Sequence, residues 1–212
     1  MRDVRMIFEK SGRAVFLSHL DLMHTLQRSF SRAGVRCVYS SGFNPHMQLT
    51  LPVPLPLGHE GKNELLAVKL EEDDLDPGLL PDRVNPFLPE GIKIKEAYGS
   101  ERKLSEISFA DYFVKADLSN AGIEELEQYL NSPEVVVVKK TKRGEGPANI
   151  RLDIYSARLA YDGLTLRLTA SGSANLNPIY VVKAVENRLG RPVGPVFYSR
   201  LGLLDRDAQP FR

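Results

Sequence analysis

The sequence predicts an α+β protein built from two consecutive units, each running strand, helix, strand, strand, helix, strand. Three observations carry that prediction. Alternating apolar and polar residues recur in short runs in both halves, as half-buried strands require. Between those runs lie stretches of helical period at 18–33, 79–88, 123–130 and 178–189. Asp162-Gly163 separates two alternating runs, a dipeptide suited to a tight hairpin. This order fits two tandem ferredoxin-like (βαββαβ) units, residues 1–98 and 109–212, with a linker near 98–108.

In the first half, residues 2–8 alternate as a strand and Gly12-Arg13 turns the chain toward a helix. Ser18-His19-Leu20-Asp21 reads as a capping box, the Ser18 hydroxyl accepting from the Asp21 amide and the Asp21 carboxylate reaching back to the Ser18 amide. Leu20, Met23, Leu26, Phe30 and Ala33 form the expected apolar stripe, with Asp21, Thr25, Arg28 and Arg32 opposite. Gly34 supplies a left-handed stop. Residues 35–39 then read as a strand, 40–46 as an exposed loop, and 47–51 as an extended segment. Pro52, Pro54 and Pro56 force an unpaired arm before strands at 64–70 and 91–95 flank the short helix at 79–88. The second half repeats the order with strands at 109–117, 134–140, 150–161, 164–170 and near 196–201.

A chain of 212 residues, 42% hydrophobic and 26% charged, can bury a core as one large domain or two of roughly 100 residues. No apolar run nears the ~20 residues a bilayer demands, and the N-terminus carries no signal-peptide core, so a cytoplasmic, membrane-free protein is expected. Cys37 stands alone, which excludes an intrachain disulfide and a cysteine-held cluster. A net charge of +1 leaves room for a local basic patch.

FLSHLDL at 16–22, R-x-x-x-RAG at 28–34, YSSGFNPH at 39–46 and PLPLGHEG at 54–61 together resemble the radical-SAM-linked protein family, also catalogued as a domain of unknown function. GSANLNP at 172–178 looks like that family's second signature, and Arg151-Leu152-Asp153 a weaker third. Members are encoded beside, or fused to the C-terminal side of, a radical S-adenosylmethionine protein. The resemblance therefore implies a radical enzyme as partner and supplies no reaction. This chain lacks the three cysteines that would make it the radical enzyme itself.

His19 at a helix start and His46 after the Gly-Phe-Asn-Pro turn are the candidate catalytic residues, expected to share a cleft with Asp21 and Asn44. Backbone bonding and capping explain each of them more simply. Such a pair could do acid–base work or bind a divalent metal, although the H-x-x-x-H and H-x-H spacings of common metal sites are absent. Without a phosphate-binding glycine loop no nucleotide cofactor is expected. Arg28 and Arg32 lie one turn apart, where an anion between them would relieve their repulsion; an ordinary solvated face is the plainer account. Tyr39 and Phe43 offer stacking surfaces beside Ser41 and Asn44, and Lys139, Lys140, Lys142 and Arg143 form a basic loop able to touch phosphates. The free N–H groups at the start of the helix that Pro178 opens are a further place for an anion, with Asn177 as a simple N-cap the plainer account.

Three functions follow as expectations. The first is a non-catalytic RNA-binding or substrate-presenting companion of a radical S-adenosylmethionine enzyme, in RNA modification or processing. The second is a metal-independent, endoribonuclease-like enzyme using His19 and His46. The third is a docking module without RNA affinity, acting through the proline arm at 52–61.

Overall fold

The computed structural model describes residues 1–71, 75–119, 121–141, 144–172 and 174–212. The chain divides into two compact units, Met1–Glu106 with Pro210–Arg212, and Ile107–Gln209. Both are α+β with a sheet at the core.

In the first unit, strands β1 (Arg2–Lys10), β2 (Leu49–Thr50), β3 (Glu60–Leu70) and β4 (Ile92–Gly99) form a sheet ordered β4-β1-β3-β2. Every pairing within it is antiparallel. Helix α1 (His19–Arg32) follows β1, and the short helix α2 (Leu80–Val84) follows β3. Alternation decides which side chains meet: Val4, Met6 and Phe8 of β1 share one core with Leu66, Val68 and Leu70 of β3 and Ile92 and Ile94 of β4. Leu22, Leu26 and Phe30 of α1 close that core together with Leu80 and Val84. Residues 210–212 return to this unit. Phe211 is buried beneath the Arg102 guanidinium, 4.5 Å from its ring centroid, and Arg212 Nη2 lies 2.6 Å from Glu96 Oε1.

Helix α1 differs from expectation on its buried face. The inward stripe is Leu22, Leu26, Ser29 and Phe30, whereas Leu20 is 67% exposed and Met23 only partly buried. Both sets obey helical spacing, and the sheet selects the one centred on Leu22 and Leu26. Ser29 is tolerated inside because its hydroxyl donates to Thr25 O and Phe87 O, each at 2.9 Å. Only half of the capping box forms as expected. Ser18 Oγ accepts from the Asp21 amide at 3.2 Å, but the Asp21 carboxylate meets the Ser18 hydroxyl, not its amide. At the other end, Gly34 adopts φ +64° while its N–H donates to Ser31 O and that of Val35 to Phe30 O, the paired bonds of a Schellman stop. Arg83 of α2 adds a second closure, Nε to Ala33 O at 3.0 Å and Nη2 to Gly34 O at 2.6 Å.

Residues 35–39 do not form the expected strand. Cys37 and Tyr39 make isolated bridges to Leu70 and Met47. The stretch expected as a helix at 79–88 is divided by Pro81 and Pro86 into two 3-10 turns around α2, since proline cannot donate to the preceding turn.

In the second unit, β5 (Ile107–Lys115), β8 (Ile154–Ala160), β9 (Gly163–Thr169) and β10 (Phe197–Asp205) are ordered β10-β5-β9-β8, again antiparallel. Helices α3 (Ile123–Asn131) and α4 (Ile179–Leu189) bury Leu126, Leu130, Val181, Val182, Ala184 and Val185. The strand at 134–140 becomes β6 (Val136–Thr141), which pairs with an unexpected strand β7 (Gly144–Asn149) in a separate two-stranded sheet. The last strand extends to Asp205, well past the expected 201. Gly163 opens β9 with φ +154°, and a Cβ there would strike Val114 O of β5, so the turn admits only glycine.

Candidate functional site

Helix α1 lies with Gln27, Arg28, Ser31 and Arg32 along one outer edge. Opposite that edge, the chain leaves Tyr39 into a loop and returns at Met47. The stem is closed by the Tyr39–Met47 bridge and by reciprocal bonds, Ser40 N to His46 O at 2.8 Å and His46 N to Ser40 Oγ at 3.0 Å. Between helix and stem lies a groove of about 390 Å³, lined by Gln27, Arg28, Ser31, Arg32, Tyr39, Pro45, His46 and Met47.

The groove wall carries two guanidinium groups and an imidazole but, among the described residues, no carboxylate. Arg83, Arg102 and Arg212 all have protein partners, whereas Arg28 and Arg32 have none among the described residues. Asp21, a conceivable counter-charge, is held by Ser18 two turns away. Two like charges one turn apart disfavour the helix by ~0.2–0.5 kcal/mol, a cost that a bound anion removes. Tyr39, half exposed, and Met47, buried, both line the groove.

Arg28, Arg32, Tyr39 and His46 are thus brought together. His19 is not among them: it opens α1, eight residues before Gln27, about 12 Å along the helix axis. Ser41, Phe43 and Asn44 lie exposed in the loop but outside the groove lining. Among the described residues no cluster of His, Cys, Asp and Glu has the makings of a metal site. Gln27, Ser31 and Met47 escaped the sequence reading. For Gln27 and Ser31 a signal existed, because they share the helix edge of Arg28 and Arg32 at one-turn spacing.

The second unit holds the remaining candidates. Lys139 Nζ sits 5.3 Å from the Tyr180 ring centroid and Lys140 Nζ 3.9 Å from Glu145 Oε1. Lys142 and Arg143 lie outside the described residues. The start of α4 does not offer the expected free donors. Ile179 N donates to Asn177 Oδ1 at 3.1 Å, Tyr180 N to Asn177 O, and Val181 N to Pro178 O. Elsewhere in this unit Arg167 grips Asp111 through two bonds of 2.7 and 2.9 Å, which push the guanidinium pKa further up. Burial, then Glu186, raises the Tyr198 phenol to about 12.

Fold and site together define an α+β protein with a sheet core and a cationic groove on its first unit. The chain belongs to the family described as "Uncharacterized protein conserved in bacteria (DUF2344)", whose profile matches residues 3–178. No curated protein matches it. Among solved structures, the acetolactate synthase small subunit of Thermotoga maritima is similar at 10% identity and TM-score 0.28, covering 97% of this chain and 98% of that one. A heme-bound DypB variant of Rhodococcus jostii RHA1 is similar at 13% identity and TM-score 0.23, covering 94% and 92%. The encapsulated DyP-type peroxidase of Mycobacterium smegmatis follows at 10% identity and TM-score 0.22, covering 96% and 91%. Likenesses this slight bear on neither the activity nor the ligands of this chain. Among the described residues no helix is long and apolar enough to cross a membrane.

Proposed function

We propose that this chain is an RNA-binding or substrate-presenting companion of a radical S-adenosylmethionine protein, acting in RNA modification or processing, and that both units are ferredoxin-like. The observation carrying the first part is the groove that gathers Arg28, Arg32, Tyr39 and His46 with no carboxylate among the described residues of its lining. Cations that hold phosphate beside an aromatic face that stacks a base are the elements of single-strand recognition. The second part is supported by strand order. Counting each sheet's strands along the chain, both run fourth, first, third, second, with the β6-β7 hairpin inserted in the second unit. The radical enzyme enters through the four motifs between Phe16 and Gly61.

The test is an anisotropy titration of a short unstructured oligoribonucleotide at several salt concentrations, with the Arg28→Ala/Arg32→Ala double variant beside the wild type. Losing two phosphate contacts flattens the slope of log K against log salt by about 1.4. Equal affinity and equal slope would remove the groove from the reading.

A second reading, docking on the radical enzyme without RNA affinity, is favoured by one observation. Gly58 N donates to Val15 O at 2.9 Å, tying the proline arm to the turn before α1, and Phe16, Leu20 and Leu57 there are all more than half exposed. Salt-insensitive co-purification with the radical enzyme, lost in Phe16→Ser/Leu57→Ser, together with no RNA binding, would make that reading the correct one.

A further inference from the structure

The geometry points to a terminal phosphomonoester of single-stranded RNA as the ligand of the groove formed by Arg28, Arg32, Tyr39 and His46. This rests on the RNA-binding reading above and makes it narrower.

Size comes first. At about 390 Å³ the groove is near the lower end of the ~300–1,000 Å³ typical of small-molecule sites. That is room for about one nucleotide, whereas a double-stranded RNA module spans ~16 base pairs. Charge comes second. Arg28 and Arg32 place two permanent positive charges within one helical turn, and neither is neutralised by a carboxylate among the described residues. An internal phosphodiester brings a single negative charge, whereas a terminal phosphomonoester carries about −1.5 to −2 at neutral pH and three acceptor oxygens. Two guanidinium forks match the second ligand in both charge and donor number.

Pre-organisation comes third. The Ser40–His46 bonds and the Tyr39–Met47 bridge fix the backbone on both sides of the stem, so Tyr39 and His46 face the arginine edge without a loop having to order on binding. Tyr39 is 49% exposed, enough to receive a base against its ring while the phosphate lies between the arginines. The 5′ and 3′ ends of RNA present the same phosphomonoester chemistry, and the experiment separates them.

The full chain is titrated with one short oligoribonucleotide in three forms, 5′-phosphorylated, 3′-phosphorylated and hydroxyl at both ends, with the dye on the end not under test. Uridine monophosphate is titrated separately by NMR, with uridine as its control. The expected result is that one phosphorylated form binds roughly tenfold more tightly than the hydroxyl form. Arg28→Ala/Arg32→Ala should abolish that difference, and Arg28→Lys/Arg32→Lys should restore only part of it. Tyr39→Ala should weaken all forms alike and leave the ratio intact, which separates stacking from phosphate recognition.

Equal binding of all three forms by the wild type overturns the terminal-phosphate inference and leaves the RNA-binding reading standing. Failure of every oligoribonucleotide, with uridine monophosphate still bound through the two arginines, overturns RNA binding and with it an RNA end as the ligand of the groove. Failure of all four phosphate and hydroxyl probes overturns both. Thermal melts of each variant confirm that a lost ratio is not lost folding.

Discussion

Replacing Arg83 by alanine tests whether the groove depends on a clamp outside it. Arg83 closes the C-terminal end of α1 with a part-buried bond to Ala33 O at 3.0 Å and an exposed one to Gly34 O at 2.6 Å. A hydrogen bond from a charged donor contributes ~1.5–3 kcal/mol where partly buried, and an exposed cation at a helix C-terminus ~0.3–1 kcal/mol. Water can hydrate both carbonyls once the side chain is gone, so the loss should be about 2 kcal/mol. In a chain of this size that is a fall of about 4–8 °C in melting temperature. Urea denaturation followed by circular dichroism measures the free energy directly, and Arg83→Lys, which keeps the charge without the fork, should recover about half. Because Arg32 sits in the turn being clamped, Arg83→Ala should also weaken the RNA binding proposed above without removing any groove residue. Stability within about 0.5 kcal/mol of wild type would refute the reasoning, since the Schellman bonds alone would then suffice to end the helix.

Other outcomes follow from the same geometry. Leu26→Ala should cost ~2–5 kcal/mol and Leu20→Ala under about 0.5 kcal/mol in parallel urea titrations; the reverse ranking would contradict the observed helix face. Gly163→Ala should destabilise the second unit by about 3 kcal/mol or more, seen as loss of hydrogen-exchange protection in β5 and β9, because its Cβ meets Val114 O at a positive φ. The Tyr198 phenol is raised from 10.0 to about 12, so the folded state holds that proton more tightly than the unfolded chain. Its contribution is therefore complete below pH 10 and is lost as pH climbs toward 12, a loss that Tyr198→Phe should abolish in alkaline melts. Ser119→Ala should let the exposed Asp117 carboxyl titrate at higher pH by carboxyl NMR, since the Ser119 hydroxyl and amide are what hold it low.

Local chemistry made much of this legible in the sequence. Ser18 starts α1 and Gly34 ends it, Asn177 caps α4, and Asp162-Gly163 turns β8 into β9, each through bonds between residues close in the chain. What escaped depends on distant partners. Whether Leu20 or Leu22 faces inward is decided by the sheet, and both satisfy the same period. Residues 35–39 have strand composition but meet only Leu70 and Met47 through isolated bridges, so no ladder develops. Strand β7 was hidden because Gly144, Gly146 and Pro147 are poor strand formers, whereas in a two-stranded sheet every strand is an edge. In the groove, the arginines announce themselves by spacing. The loop stem that brings Tyr39 and His46 opposite them rests on Ser40 pairing across six residues, a contact no periodicity encodes.

The return of residues 210–212 to the first unit sets an order of events during synthesis. Units generally fold as they leave the ribosome, N-terminal first, at ~5–20 residues per second. Here the unit ending at Glu106 must wait for the whole of Ile107–Gln209 before Phe211 can fill its place under Arg102 and Arg212 can reach Glu96. At those rates the delay is on the order of 5–20 s. Throughout it, the nascent first unit lacks the Phe211 ring under Arg102 and the ion pair to Glu96, so a stalled ribosome would leave that unit unfinished.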